Sequence, residues 1–339
     1  HGRDTALATP ALKGKEVVSG RRHETHLQRE TYATQRDGAG RVAACILDWT
    51  RRGGRPDACA VILRAPYQSI HIENALLEAG IGWRVEGLES YLLRSEILML
   101  RGVIAFALED YESIPGVEKR LQVLQALLFW QQFEWGADRR DDDALKTAAA
   151  QPELFDAFLK GKLLKPQTRA DKKAAEMSGD EETESEFHFL EKLAQLRKSG
   201  HHHEANALAN IRQAESETID ETPAQRSARV RLEQTLAMLR AAPPDELAHA
   251  LLERAVGLLA LKSVARQLFI APSTAAMVAR SIDGFIDASR RNAMSLRDFA
   301  GWLRKAEVKA SRLRASATVL LCTVEAAKGQ EFESVMLPF

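Results

Sequence analysis

The hydrophobic pattern of this chain changes character twice. Over residues 15 to 109, short β-type runs alternate with amphipathic helical ones. EVVSG (16–20) reads as a first strand. From Asp37 to Arg52 apolar residues recur at helical spacing, with Val42, Cys45, Ile46 and Trp49 on one face. GGRPDA (53–58) is a turn, and ACAVILR (58–64) is a continuous apolar run of the kind that fills a buried parallel strand. A helix is predicted from Ser69 to Ala79, closed by Gly80 as the residue after the cap. WRVEG (83–87) predicts a short strand, and Arg94 to Leu108 another helix. Strands and helices alternating at this spacing imply an α/β domain with a parallel sheet.

From Asp110 to Ala317 the strand signals vanish and long helical patterns take over. Pro115, Pro152, Pro223, Pro243, Pro244 and Pro272 fall where such helices should start or stop. TRADKKAAEMSGDEETESE (168–186) is charged, poor in apolar residues and reads as a solvated loop. The β pattern returns at Thr318, in TVLLCTVEAAKGQEFESVMLPF. Two apolar runs cannot form a domain by themselves, so they are expected to complete the sheet begun before residue 110. The predicted organisation is a flexible lead-in (1–14), a discontinuous α/β domain (15–109 and 318–339) and a helical insertion (110–317).

Composition narrows the class only moderately. The 339 residues are 45% hydrophobic and 28% charged, within the ordinary globular range. Lys plus Arg and Asp plus Glu both number 47, so the formal net charge is zero. That excludes a binder that relies on overall basicity, but leaves room for a local basic groove. Cys45, Cys59 and Cys322 are scattered through apolar runs and read as buried thiols of a reducing compartment, not as a metal site. No apolar run approaches the ~18 residues of a membrane span, and the amino end is polar. These features point to a cytoplasmic protein.

The turn between the last two apolar runs carries the chemistry. In α/β sheets ligands collect at the carboxyl ends of strands. Gly329 would let the backbone approach a ligand or adopt positive φ. Lys328 could meet a phosphate, and Glu331 could accept from a ribose hydroxyl or orient Lys328. On spacing alone, a plain turn with a capping charge reads equally well.

TVEAAKGQEFESVMLP (323–338) resembles motif V of superfamily 1 DNA helicases of the UvrD/Rep/PcrA type, through Thr323, Ala327, Lys328, Gly329, Glu331 and Phe332. Residues 58–97 are similar to a second stretch of the same family, through Arg64, Gln68, Ser69, Leu76, Gly87, Tyr91, Arg94 and Glu96. Glu325 stands where the family has His, Gln330 where it has Leu, and Leu88 where it has a second Gly. The resemblance implies a RecA-like, P-loop-NTPase-type domain, a parallel sheet with helices on both faces, split by a large all-α insertion. It implies a nucleotide-facing role for Lys328, Gly329 and Glu331. It implies a DNA-facing role for Thr323, Glu325, Arg64, Gln68, Tyr91 and Arg94. The implied partners are single-stranded DNA and the strand–duplex junction, and the implied cofactors of the whole enzyme are ATP and Mg²⁺.

The sequence contains no Gly-x-x-x-x-Gly-Lys-Ser/Thr loop, no acidic Mg²⁺ box in a strand context and no arginine-bearing motif VI. ATP and Mg²⁺ are therefore expected to require a 1A/1B lobe of the same polypeptide, with no catalytic residue in this stretch and no hydrolysis by it alone. Two other readings remain: a RecB/AddA-like helicase–nuclease subunit, or a degenerate helicase serving as a non-catalytic adaptor for DNA or protein. Weaker signals are GHHHEAN (200–206), read as a polar helix start, and FWQQFEW (129–135), read as helical core. DELA (245–248) is read as a helix opening capped by Asp245. The basic helix of 289–314 suits either duplex phosphates or solvent.

Overall fold

The computed structural model describes residues 27–132, 139–164, 198, 222–290, 293–315 and 318–338. The predicted strand at 16–20, the charged stretch at 168–186, the His-rich stretch at 200–206 and Phe133 to Trp135 lie outside these residues.

The α/β part begins with α1 (Gln35–Arg51), whose first turn is capped by the Thr34 side chain accepting from the Asp37 N–H. Strand β1 (Cys59–Leu63) is the predicted apolar run, buried along nearly its whole length. Helix α2 (Ser69–Ala79) ends at Gly80, which takes φ 70°, a left-handed conformation open to Gly at little cost. Strand β2 (Gly82–Glu86) follows, then α3 (Ser95–Leu108). After the helical section the chain returns as β3 (Thr318–Thr323) and β4 (Ser334–Met336). The four strands form one sheet in the order β2-β3-β1-β4, every pairing parallel. Thus β3 lies between the two strands from the front of the chain, with Leu63 opposite Thr323 and Glu86 opposite Cys322.

Side chains alternate across the sheet. Cys59, Val61, Leu63, Val319 and Leu321 face a core shared with α1 and α2. Ala60, Leu320 and Cys322 face the other way, where the apolar partners are Ile62, Ala326, Ala327 and Phe332. Three of those four belong to the β3–β4 connection. Helices on both faces were expected. Among the described residues the second face takes its apolar cover from this connection, because the crossover from β3 to β4 runs directly over it.

The helical section comprises α4 (Val117–Trp130), α5 (Arg139–Ala150), α6 (Pro152–Leu159), α7 (Pro223–Arg240), α8 (Ala248–Leu258), α9 (Leu261–Leu268), α10 (Pro272–Ser289) and α11 (Leu296–Arg314). Pro152, Pro223 and Pro272 sit at the starts of α6, α7 and α10, where a missing N–H costs nothing. Asp245 does not cap a helix. Leu247 occupies that position, held by an isolated bridge to Ser295 and by the Ala248 N–H on the Met294 carbonyl. Trp130 is buried in the helical core and Phe129 is partly exposed against Phe269. Helix α3 shares this core, as do Tyr111 and Ile114, so the apolar interior runs unbroken past residue 110. Helix α11 joins the two interiors: Leu296, Phe299 and Leu303 enter the helical core, and Ala306 and Ala310 enter the sheet core. Among the described residues, no helix is long and apolar enough to cross a membrane.

Candidate functional site

The carboxyl ends of β1, β3 and β2 lie side by side, and the sequence continues from each into the candidate residues. Arg64 follows Leu63 at the end of β1 and is exposed. Thr323 ends β3. Its hydroxyl oxygen accepts from the Ala326 N–H at 3.3 Å, and its carbonyl accepts from the Ala327 N–H at 3.1 Å. These bonds wind Val324 to Gly329 into a helical turn rather than an extended loop. Gly329 takes φ 78°, which permits the chain to leave the turn. Glu325, Lys328 and Glu331 are all exposed.

The turn is fastened to β2. The Gln330 Nε2 donates to Glu86 Oε2 at 3.0 Å and to the Ala326 carbonyl at 2.9 Å. Gly87, next along, has φ 70°, and a Cβ there would stand 2.6 Å from Thr323 Oγ1 and 2.8 Å from the Ala326 Cβ. Only Gly fits this approach. The departure at Gln330 therefore has a local use: it anchors the Lys-Gly turn to the neighbouring strand.

The remaining sequence-predicted residues lie beneath this edge. Gln68 is 5% exposed, and its Oε1 accepts from the N–H groups of Arg64 and Ala65, each at 3.0 Å. It thereby sets the backbone that carries Arg64. Tyr91 is 2% exposed and donates its hydroxyl to Asn74 at 2.7 Å. Arg94 is 7% exposed, and its guanidinium donates to the Pro66 carbonyl, Ser69 Oγ, the Glu89 carbonyl and, across to α10, Ser281 Oγ. Burial lowers its pKa, while Glu73, Glu96 and Glu89 pull the other way. The structure thus brings Arg64, Glu325, Lys328, Gly329 and Glu331 to one surface, with Thr323 buried beneath the turn that its hydroxyl caps. It places Gln68, Tyr91 and Arg94 as internal supports.

Sequence reasoning missed Glu73, the centre of the support. It is 1% exposed, yet its carboxylate accepts from Ser69 Oγ, Ser90 Oγ, Trp83 Nε1 and the Tyr91 N–H. The sequence does not single it out, because α2 also carries Ser69, His71, Asn74 and Glu78.

Among known proteins, DNA helicase II of Haemophilus influenzae (strain ATCC 51907 / DSM 11121 / KW20 / Rd) is 43% identical to this chain over 61 residues. This stretch is related to the UvrD-like helicases. It amounts to 18% of the chain and 8% of that helicase, so the chain spans a small part of its relative's length. No protein-family model matches the chain. The carboxyl edge of the parallel sheet places a cation, a positive-φ glycine and carboxylates together.

Proposed function

We propose that this chain contributes the second motor lobe of an ATP-dependent DNA helicase or translocase. The lobe would form one wall of an ATP cleft and part of a single-stranded DNA track, in an enzyme that unwinds or remodels DNA during repair or recombination. The observation that carries the reading is the Lys328–Gly329 turn, clamped to the carboxyl edge beside Arg64 in a chain similar to a DNA helicase. Lys328, the open backbone at Gly329 and Glu331 suit the phosphate and sugar of a nucleotide. Arg64 would face the nucleic-acid backbone, with Glu325 beside it and Thr323 holding the turn from within. Gln68, Tyr91 and Arg94 would act from below, by holding the Arg64 backbone and the β2–α3 segment. Among the described residues no group of three metal-ligating side chains converges. By the same resemblance, a Mg²⁺ ion accompanying ATP would be held by the phosphates and by a 1A lobe of the same polypeptide. ATP, when bound, supplies the phosphoryl-transfer energy for movement.

The test is DNA-stimulated ATP hydrolysis by the full-length protein that carries this chain. Lys328→Ala and Glu331→Ala are each expected to lower the stimulated rate by at least about tenfold, the scale of one lost charge contact in a transition state. A folded full-length protein without stimulated hydrolysis would remove the motor reading. It would favour a DNA- or protein-binding adaptor, for which the exposed carboxylate of Glu325 at a DNA-facing position is the specific support.

A further inference from the structure

Arg64 opens a short segment that is held from two sides. Pro66 to Gln68 form a single 3₁₀ turn between β1 and α2. From within, Gln68 Oε1 accepts from the Arg64 and Ala65 N–H groups. From outside, α10 of the helical section lies across the turn and the start of α2. Arg280, Gly284 and Asp287 stand at i, i+4 and i+7 on the face that meets it, and Ser281 borders that face. Arg280 Nη1 donates to the Tyr67 hydroxyl at 3.0 Å, and the guanidinium carbon lies 5.1 Å from the Tyr67 ring centroid. Ser281 Oγ accepts from Arg94, whose guanidinium also donates to the Pro66 carbonyl at 2.7 Å. A Cβ at Gly284 would stand 3.0 Å from the Ile70 Cδ1, so a small residue there sets how closely α10 approaches. The Asp287 carbonyl accepts from Arg36 of α1 at 3.0 Å.

Adjacent residues of α10 thus hold adjacent residues of the turn, Tyr67 directly and Pro66 through Arg94. The two contacts differ in kind. Arg94 and Ser281 are buried, and their bond belongs to the interior. Arg280 is exposed and Tyr67 half-buried, on the same turn whose first exposed residue is Arg64. A planar guanidinium that stacks on a ring and also donates to its hydroxyl is held in one orientation, which a solvated side chain would not keep. Tyr67 sits between Arg64 and the Gln68 that accepts from the Arg64 N–H. Fixing the ring therefore fixes the backbone from which the Arg64 side chain projects.

We propose that Arg280 is a positioning residue for Arg64. Acting through Tyr67, it sets the direction in which the Arg64 guanidinium meets a nucleic-acid phosphate. The helical section thereby tunes a contact made by the edge of the sheet. This role rests on the DNA-facing function proposed for Arg64 above. Arg280 works on the ring and not on the strand, since its stacked face and one of its donors are committed to Tyr67.

The test is a fluorescence-anisotropy titration of the full-length protein with a labelled single strand, without nucleotide, over a salt series. Arg64→Ala is expected to weaken binding roughly tenfold, the scale of one charge-assisted hydrogen bond. It should also remove about 0.7 from the slope of log affinity against log salt. Arg280→Ala should weaken binding about three- to tenfold. Tyr67→Leu, which keeps the Arg280 charge but removes the ring and hydroxyl, should do the same. The Arg64→Ala, Arg280→Ala double variant should bind no more weakly than Arg64→Ala alone, with a total slope loss of about 0.7. Additive losses, with a slope loss of about 1.4, overturn the proposal, because Arg280 would then act without Arg64. Wild-type affinity in Arg280→Ala or in Tyr67→Leu also overturns it. General loss of folding would weaken binding in the Arg64→Ala background too, so the non-additive result separates positioning from misfolding. A wild type that binds no single strand overturns the proposal together with the DNA-facing role of Arg64. Because the assay contains no ATP, a protein that shows the expected pattern but hydrolyses no ATP loses the motor reading alone.

Discussion

Glu73 shows how one residue organises the ground beneath the candidate site. Its carboxylate gathers the β2 indole, the Ser69 and Ser90 hydroxyls and the Tyr91 amide at a point with almost no solvent. Removing it would strand these buried donors and leave Arg94 short of a neighbouring negative charge. Glu73→Ala is expected to cost about 3–5 kcal/mol, read as a lower urea midpoint, with Glu73→Gln recovering part of the loss. Glu307 makes a pH prediction. Burial pushes its carboxyl up, but Arg101 and Lys119 together outweigh burial and hold it below the ordinary 4.5. A depressed folded pKa gives stability that is present above the unfolded value and lost as pH falls through the folded one. Thermal melts should therefore show the wild type losing its advantage over Glu307→Gln below about pH 4.5, and keeping it at neutral pH. Neither role was legible in the sequence. Both residues sit in helical stretches where a carboxylate reads as solvent-facing, and apart from Ser69 their partners lie outside their own helices.

At the scale of the element, strands β1 to β4 and the first described helices were legible because their signals are local. The apolar run of β1 and the Gly80 stop of α2 need no tertiary context. Elsewhere local signals failed. The stretch 245–269 reads as one helix, but it breaks at Ala260, which takes φ 52° without a Gly or Pro to mark it. Leu259 and Leu261 are both buried there, so packing of two short helices outweighs the local cost of the left-handed residue. Gly102 gives a prediction of the same kind. In an isolated α3, Gly102→Ala would stabilise the helix by about 1 kcal/mol. In the fold, a Cβ at that position would stand 2.8 Å from both Leu127 and Val123 of α4. The variant is therefore expected to be destabilised by about 1–3 kcal/mol net, measured by chemical denaturation. A stabilised Gly102→Ala protein would show that α3 and α4 can separate at little cost.

At the scale of the whole molecule, β3 decides whether a sheet exists. It lies between β1 and β2, which do not pair with each other. A chain ended after residue 315 should lose amide-exchange protection across β1, β2 and α1. Protection should persist in α3 and α4, whose core is shared with the helical section. Hydrogen exchange read by mass spectrometry over these segments checks this; protected β1 and β2 peptides in the shortened chain would contradict it. The same long-range pairing makes the candidate site, since Arg64 and Thr323 become neighbours only through the register of Leu63 with Thr323. The expectation that the tail completes a sheet begun before residue 110 followed from the pattern alone. The central place of β3 did not.

The sequence by itself determined the alternation of strands and helices at the front, the helical middle, the returning strand and the Lys-Gly turn. Each of these is written in the period of apolar residues or in the φ freedom of a particular Gly. Tertiary structure decided which polar residues reach solvent. It turned Gln68, Tyr91 and Arg94 into supports by closing α2, α3 and α10 over them, and it left Lys328 and the face of α11 open. The physical reason is range. Periodicity and turn chemistry act over a few residues, whereas burial and hydrogen-bond partnership depend on segments that meet only when the chain has folded.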